Sequence, residues 1–116
     1  MPDSLDLLQG TLDLLILKAL SFGPQHGYAV ARGIRMSSAE KLIVEDRALY
    51  VALHRMEARG WISSEWGLSE NNRKAKYYAL TGEGRRALKA KTADWSDYVE
   101  AVFRVLKSAA LEGEGR

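Results

Sequence analysis

A short cluster of positive charge is the feature of this sequence best suited to chemistry with a polyanion. Arg73, Lys74 and Lys76 follow directly after Asn71 and Asn72. Cations that contact phosphates neutralise them and release condensed counterions, which strengthens binding to a nucleic acid. A short charge run is often only a solvated turn, but the adjacent asparagines favour phosphate contact. We therefore interpret Asn72, Arg73, Lys74 and Lys76 as candidate backbone-binding residues.

A second candidate set lies upstream, between residues 46 and 59. Arg47 and Arg55 can each pair with guanine, and His54 can donate a hydrogen bond to acceptors in the DNA major groove. Val51 offers an apolar contact to a thymine methyl group. Taken alone, these side chains fit a solvated helix face equally well. Their proximity to the basic cluster favours contact with bases.

Catalysis is not indicated by any set of residues in the sequence. His54 and Glu57 have acid–base spacing on a helix, but the sequence offers no nucleophile beside them and no third metal ligand. "TGEGRR" lacks the Gly-Lys-Ser/Thr of a phosphate-binding loop. The absence of cysteine excludes disulfides and thiolate metal sites. We expect no catalytic residues, no metal and no cofactor.

The composition indicates one small domain in a reducing compartment. A chain of 116 residues with 47% hydrophobic residues can form one packed core. The net charge of +2 is small, so the location of the charge matters more than its sum. The apolar run near the N-terminus is interrupted by Asp6, Gln9, Asp13 and Lys18, so we expect no signal peptide, no membrane span and a cytoplasmic location.

The first half of the chain predicts two helices and an extended segment. "TLDLLILKALSFG" predicts a helix with apolar residues, including Leu12 and Leu15, around its whole circumference. One small domain covers only one side of such a helix, so a partner chain is expected to cover the other. "HGYAVARGIRMSS" predicts a second helix, and "EKLIVED" predicts a short strand or an extended linker.

"DRALYVALHRMEARG" predicts a third helix, with Asp46 as its N-cap and Gly60 at its end. Its apolar residues recur at helical spacing and predict a buried face, made of Leu49, Ala52, Leu53 and Met56. The opposite face then carries Arg47, Val51, His54 and Ala58, with Tyr50 and Arg55 on its flanks. The candidate base contacts are therefore expected on the outward side of this helix.

"WISSEW" and "AKYYAL", on either side of "GLSENNR", predict a β-hairpin whose turn contains the basic cluster. A long helix is predicted from Thr81 to about Ala110, followed by a disordered tail at 111–116. Apolar residues spaced by four and three along this helix predict a seam that packs on a second copy of the chain. The predicted dimerisation residues are Leu12 and Leu15 of the first helix together with Trp95, Val99, Val102, Phe103 and Leu106 of this helix.

The order of these elements predicts a winged helix-turn-helix domain at residues 1–80 and a dimerisation helix at 81–110. The fold class is mostly α with a small β-hairpin wing. In such domains the second helix of the pair enters the DNA major groove and the wing lies on the backbone or minor groove. The alternative function is a winged helix that binds another protein and no DNA.

The motifs "LLQGTLDLLILKAL", "HGY", "LYVALHRMEARGWISSEWG" and "NNRKAKYYALTGEGRR", followed by Trp95, resemble in order and spacing the PadR-type transcriptional regulators. More closely, the chain is similar to the short subfamily, which has one C-terminal helix. The resemblance implies a homodimeric repressor that binds pseudo-palindromic sites in double-stranded DNA. It also implies a small aromatic molecule as inducer, without a membrane partner.

Carried onto this chain, the family pattern places a recognition helix at Arg47 to Arg59, with Tyr50 and His54 facing outward, and a wing at Trp61 to Leu80. The chain departs from the family where Arg47, Ala48 and Val51 replace the usual small, hydroxyl and proline residues. For Trp95 we expect either dimer packing or stacking on a ligand. For His26 and Tyr28 we weigh a phosphate contact equally against packing.

Overall fold

The structure is a computed structural model that describes residues 10–109. Its elements are α1 (Thr11–Leu20), β1 (Gln25–His26), α2 (Gly27–Ser37), α3 (Asp46–Ala58), β2 (Ile62–Leu68), β3 (Lys74–Leu80) and α4 (Gly82–Leu106). The strands form one antiparallel sheet in the order β1-β3-β2. This is the predicted winged helix-turn-helix architecture with a long C-terminal helix. The predicted tail at 111–116 lies outside the described residues, whereas α4 ends at Leu106, before the predicted end at about Ala110.

The core lies where the three short helices meet the base of the wing. Helix α1 packs against α2, α3, α4 and β3, so it is the central element of the domain. The fully buried large side chains come from every layer and are Ile16, Leu17, Leu20, Val30, Leu49, Leu53, Met56 and Ile62. Their burial fixes the orientation of α3 because three of them belong to that helix.

Of the two alternatives predicted for "EKLIVED", a short strand or an extended linker, the structure shows the linker, and the third strand of the sheet lies elsewhere. The segment "EKLIVED" is an extended connection between α2 and α3, with only an isolated bridge at Leu42 and with Val44 buried in the core. The third strand is instead Gln25–His26, which pairs with Tyr77 and Tyr78 of β3. Gln25 and His26 are polar and too few to show the alternating pattern of a strand. They form a strand only because the backbone of β3 lies beside them, so sequence periodicity does not reveal β1.

The ends of α3 confirm one predicted boundary and correct the other. Glu45, not Asp46, is the N-cap, and its side chain makes no capping hydrogen bond. At the other end Gly60 has a φ of 82°. The Gly60 N–H donates to the Glu57 carbonyl at 3.0 Å and the Trp61 N–H donates to the Met56 carbonyl at 3.0 Å. This pair of bonds is a Schellman motif, which explains why a glycine is needed there.

Helix α4 begins against the base of the wing and ends away from the core. The Thr81 hydroxyl caps it by accepting a hydrogen bond from the Gly84 N–H at 3.0 Å. Its 25 residues span about 37 Å, and the chain has a radius of gyration of 17.4 Å, compared with about 13 Å for a compact domain of this size. The last turns of α4 therefore extend beyond the globular part.

Among the described residues, no helix is long and apolar enough to cross a membrane. Nor do the described residues include a group of three or more His, Cys, Asp or Glu side chains placed to hold a metal ion.

Candidate nucleic-acid interface

The outward face of α3 is set by the burial of its opposite face. Leu49, Ala52, Leu53 and Met56 are all at most 1% exposed, so they hold one side of the helix against the core. The residues about half a turn away, Arg47, Val51, His54 and Ala58, are exposed. The structure thus places Arg47, Val51 and His54 side by side on an open helix surface, as their spacing predicted.

One flank of α3 leans toward α2 and the wing. The hydroxyl of Tyr50 lies so close to the Gly27 backbone that a Cβ at residue 27 would come within 2.5 Å of it. On the same flank, the Ser64 hydroxyl of the wing donates a 2.6 Å hydrogen bond to the Glu57 carboxylate. Tyr50 is therefore turned from the outward face toward the start of α2, although 47% of it remains exposed.

The other flank of α3 contacts α1. The guanidinium of Arg55 forms an ion pair and hydrogen bond with the carboxylate of Asp13, whose side chain is only 13% exposed. A guanidinium held on α1 is not positioned over the outward face. The geometry gives Arg55 a role in fixing α3 relative to α1, and the base contact predicted for it is not favoured by this arrangement.

A buried phenol lies beneath the Tyr50 flank. Tyr78 is 6% exposed and belongs to the core. Burial raises its pKa above the usual value of 10.0, and the nearby Tyr50 and Glu57 raise the pKa further. Tyr78 is therefore a neutral phenol at physiological pH. Tyr77, its neighbour on the strand, points to the opposite face, where its hydroxyl donates to the Leu68 carbonyl at 2.9 Å.

The turn of the wing is closed by backbone hydrogen bonds between Ser69 and Arg73. The Ser69 N–H donates to the Arg73 carbonyl at 2.8 Å, and the Asn72 N–H donates to the Ser69 carbonyl at 2.9 Å. Asn72 has a φ of 61°, so it supplies a left-handed residue in the predicted turn, a conformation that asparagine tolerates. Its structural role accounts for an asparagine at this position, and Arg73 beside it is exposed.

The two lysines of the wing are not at its tip. Lys74 and Lys76 lie on β3, and their ammonium groups are 5.5 Å and 6.0 Å from the ring centre of Trp66 on β2. Trp66 is 61% exposed. The predicted phosphate contacts are therefore divided between the turn, with Asn72 and Arg73, and one face of the strands, with Lys74 and Lys76.

The residues at the start of α2 have different roles. Nδ1 of His26 accepts a hydrogen bond from the Ala29 N–H at 3.2 Å and so caps the helix. The His26 ring also packs edge-on against Tyr77 at 5.6 Å. These contacts support the packing role for His26. Tyr28 is 70% exposed and stays available for a ligand.

The predicted dimerisation residues differ in how far the monomer buries them. Leu12 and Leu15 of α1 are half-buried and pack on the core, and Trp95 and Val99 of α4 are half-buried too. Farther along α4, the exposed fractions are 38% for Val102, 51% for Phe103 and 65% for Leu106. Trp95 stacks on Tyr98 at 5.8 Å and borders a shallow cavity of about 270 Å³ with Leu14 and Lys91.

Sequence reasoning missed Arg32 and Trp66 as members of the interface. The sequence predicts only a helix around Arg32 and a strand around Trp66. The structure brings both to a cleft of about 670 Å³ between α2 and the wing. Counting alternate residues along β2 places Trp66 on the same strand face as the buried Ile62, so the sequence contains a signal for Trp66. No local pattern places Arg32 at the cleft, because its position there depends on how α2 packs against the sheet.

Comparison with known proteins supports this arrangement. The model of the transcriptional regulator PadR-like family matches residues 16–90. A transcriptional regulator from Clostridium thermocellum is similar in structure, with a TM-score of 0.78 and 30% identity over 85% of this chain and 96% of that chain. A PadR family transcriptional regulator from Eggerthella lenta has a TM-score of 0.74 and 31% identity over 86% of this chain and 85% of that chain.

Gly27 offers a way to move Tyr50 without removing it. In Gly27→Ala the new methyl group would collide with the Tyr50 phenol, the mobile end of a side chain, so we expect the ring to rotate away at a cost of about 1 kcal/mol or less. NMR signals of the Tyr50 ring protons and urea unfolding measure the two effects. Gly33→Ala on the same helix meets no neighbour and should raise stability by up to about 1 kcal/mol. Unchanged Tyr50 signals in Gly27→Ala would contradict the contact.

Proposed function

The chain belongs to the PadR-like family of transcriptional regulators, and we propose that it is a cytoplasmic repressor that binds a pseudo-palindromic operator in double-stranded DNA as a homodimer. The observation that carries the proposal is the open face of α3, with Arg47, Val51 and His54 exposed together beside a wing that carries Arg73, Lys74 and Lys76. Occupation of a promoter by such a dimer would exclude the transcription machinery.

In the proposed complex the two parts of the interface have different tasks. The outward face of α3 enters the major groove, where the Arg47 guanidinium pairs with guanine, His54 donates to a base acceptor and Val51 meets a thymine methyl group. The wing holds the flanking backbone and sets the position of the helix without reading sequence itself. Arg55 fixes α3 through Asp13.

The proposed dimer is supported by the apolar side chains that the monomer leaves exposed on α4. Val102, Phe103, Val105 and Leu106 are between 38% and 65% exposed within two turns of helix. Burial of this surface, together with Leu12, Leu15, Trp95 and Val99, against the same surface of a second copy would form an isologous interface. A twofold dimer can present two recognition helices about 34–36 Å apart, the distance between successive major grooves.

Relief of repression by a small planar aromatic molecule is the regulatory part of the proposal. Trp95 and Tyr98 form a stacked aromatic pair beside a cavity that reaches Leu14 of α1. A molecule stacked there would contact both helices of the proposed dimer surface. It would release DNA only by binding more tightly to a dimer geometry with the wrong helix spacing.

Neutralising the wing should weaken DNA binding and reduce its salt dependence. For Arg73→Gln, Lys74→Gln and Lys76→Gln combined, we expect at least about tenfold weaker binding near physiological salt and a log–log salt slope smaller by about 2 to 3. Fluorescence anisotropy with duplex from upstream of the gene and with random duplex measures both.

In that experiment Arg104→Gln, on exposed α4, controls for net charge and should leave the slope unchanged. An unchanged slope in the triple variant would refute phosphate contact by the wing. Failure of the intact wild-type dimer to bind any duplex at low salt would instead favour the protein-interaction module.

Charge placed on the exposed end of α4 should separate the subunits. We expect Val102→Asp with Leu106→Asp to sediment as a monomer at micromolar concentration, because burying two carboxylates in an apolar interface is strongly unfavourable. Operator affinity should fall with it, by at least about a hundredfold, since one half-site contact is lost. Arg104→Asp, at an exposed position on the opposite side of α4, is the matched control and should stay dimeric. A dimeric double variant would refute the assigned seam.

A ligand at Trp95 should quench tryptophan emission in a saturable way. In a titration with a panel of planar aromatic compounds, we expect at least one to quench the wild type with saturation and to lower operator affinity. Trp95→Phe should abolish this quenching, whereas Trp66→Phe, on the wing, should retain it. If no compound gives saturable quenching, or if Trp95→Phe is quenched equally, the ligand site is not at Trp95.

A further inference from the structure

The inner face of the wing carries a cluster of aromatic and cationic side chains. In the register of the hairpin Trp66 pairs with Lys76, Ser64 with Tyr78 and Leu68 with Lys74. Paired residues and alternate residues along a strand share one face, so Trp66, Lys74 and Lys76 lie on the same face as the buried Tyr78. This face covers the core at the base of the wing and then extends past the edge of the core.

Beyond that edge, the inner face of the wing forms one wall of a cleft. The cleft has a volume of about 670 Å³, with Trp66, Lys74 and Lys76 on the wing side, Tyr28 and Arg32 on the α2 side, and Tyr50 between them. Its charged lining consists of Arg32, Arg73, Lys74 and Lys76, opposed by Glu70 alone. An open cleft with this excess of positive charge is suited to an anionic chain.

The indole ring of Trp66 contacts two of the cationic side chains on this wall. The ammonium groups of Lys74 and Lys76 both lie over its ring, at 5.5 Å and 6.0 Å, so the ring restrains two otherwise flexible side chains. Trp66 is 61% exposed, so it presents a flat apolar surface to the cleft. An apolar plate between cations matches a sugar–phosphate chain, in which apolar sugar surfaces alternate with anionic phosphates.

We propose that this cleft between α2 and the wing is the main DNA-backbone site, and that Trp66 packs on a deoxyribose while Arg32, Lys74 and Lys76 contact the adjoining phosphates. The inference deepens the proposed function and rests on it. In this arrangement the side chains of Lys74 and Lys76 face α2 across the cleft and do not point outward from the turn. It also adds Arg32 of α2, outside both the recognition helix and the wing, to the interface.

Removal of Arg32 tests the far wall of the cleft. Arg32→Gln should weaken binding to random duplex about threefold to thirtyfold near physiological salt and reduce the log–log salt slope by about 1, as expected for one lost phosphate contact. Arg35→Gln is the matched control because Arg35 lies on the same helix and pairs with Glu40 at 3.2 Å. It should leave the slope unchanged. Equal effects of the two substitutions would overturn the assignment of Arg32.

The proposed DNA contact of Trp66 is tested by a measurement that would not change if Trp66 only stabilised the fold. We expect DNA to protect wild-type tryptophan emission from acrylamide quenching, and we expect this protection to disappear in Trp66→Phe. Trp66→Phe should keep most of the affinity because it retains a ring for the sugar, whereas Trp66→Ala should lose about tenfold, in the range of other exposed aromatic contacts to nucleic acid. Protection that persists in Trp66→Phe would show that another tryptophan reports binding, and it would overturn the role of Trp66.

The outcome separates this inference from the proposed function. If the wild type binds duplex but Arg32→Gln and Trp66→Ala bind equally well with the same salt slope, the cleft is not the backbone site, although DNA binding stands. If the wild-type dimer binds no duplex even at about 50 mM salt, both proposals fail. If polyglutamate displaces duplex DNA at equal charge concentration, the cleft recognises acidic chains generally, and the sugar contact by Trp66 is wrong.

Discussion

The close approach of the Gly84 backbone to Trp61 is the constraint on which the relative positions of wing and helices depend. A Cβ at residue 84 would lie 2.0 Å from the Trp61 carbonyl oxygen, a backbone atom that has no free rotation to relieve the overlap. The same carbonyl accepts hydrogen bonds from the Thr81 N–H at 3.1 Å and from the Thr81 hydroxyl at 3.0 Å. The first turn of α4 is therefore seated directly on the first residues of the wing.

This contact point also includes the end of α3. The Thr81 hydroxyl lies 2.6 Å from the Gly60 carbonyl oxygen, and Gly60 is the left-handed residue that terminates α3. The end of α3, both strands of the wing at their base and the start of α4 thus meet within a few residues. In the proposed dimer, a rotation of α4 against its partner would carry the wing and α3 with it as one unit.

The sequence predicts those features that depend on local periodicity and turn chemistry. Leu49, Ala52, Leu53 and Met56 recur with the helical period, so the buried and outward faces of α3 follow directly from their spacing. Asn72 marks the turn of the wing because asparagine tolerates a positive φ. Gly60 marks the end of α3 for the related reason that a Schellman motif needs a left-handed residue.

Features made by tertiary contact were missed or misassigned. β1 is two polar residues that become a strand only because β3 lies beside them. Arg55 looks like a base contact on a helical wheel, but Asp13, forty-two positions earlier in the chain, captures its guanidinium. The cleft between α2 and the wing joins Arg32 to Trp66, and neither residue carries a local pattern that indicates the other. Such pairings depend on the angle between elements, which no periodicity encodes.

The ion pair between Asp13 and Arg55 links the two proposed binding events physically. Asp13 and Leu14 are consecutive on α1: one holds Arg55 of the recognition helix and the other lines the cavity beside Trp95. A ligand that displaced α1 at Leu14 would therefore displace the anchor of α3. Because Tyr50 rests on Gly27 along the opposite flank, α3 is held from both sides, and a shift of α1 would remove one of its two supports.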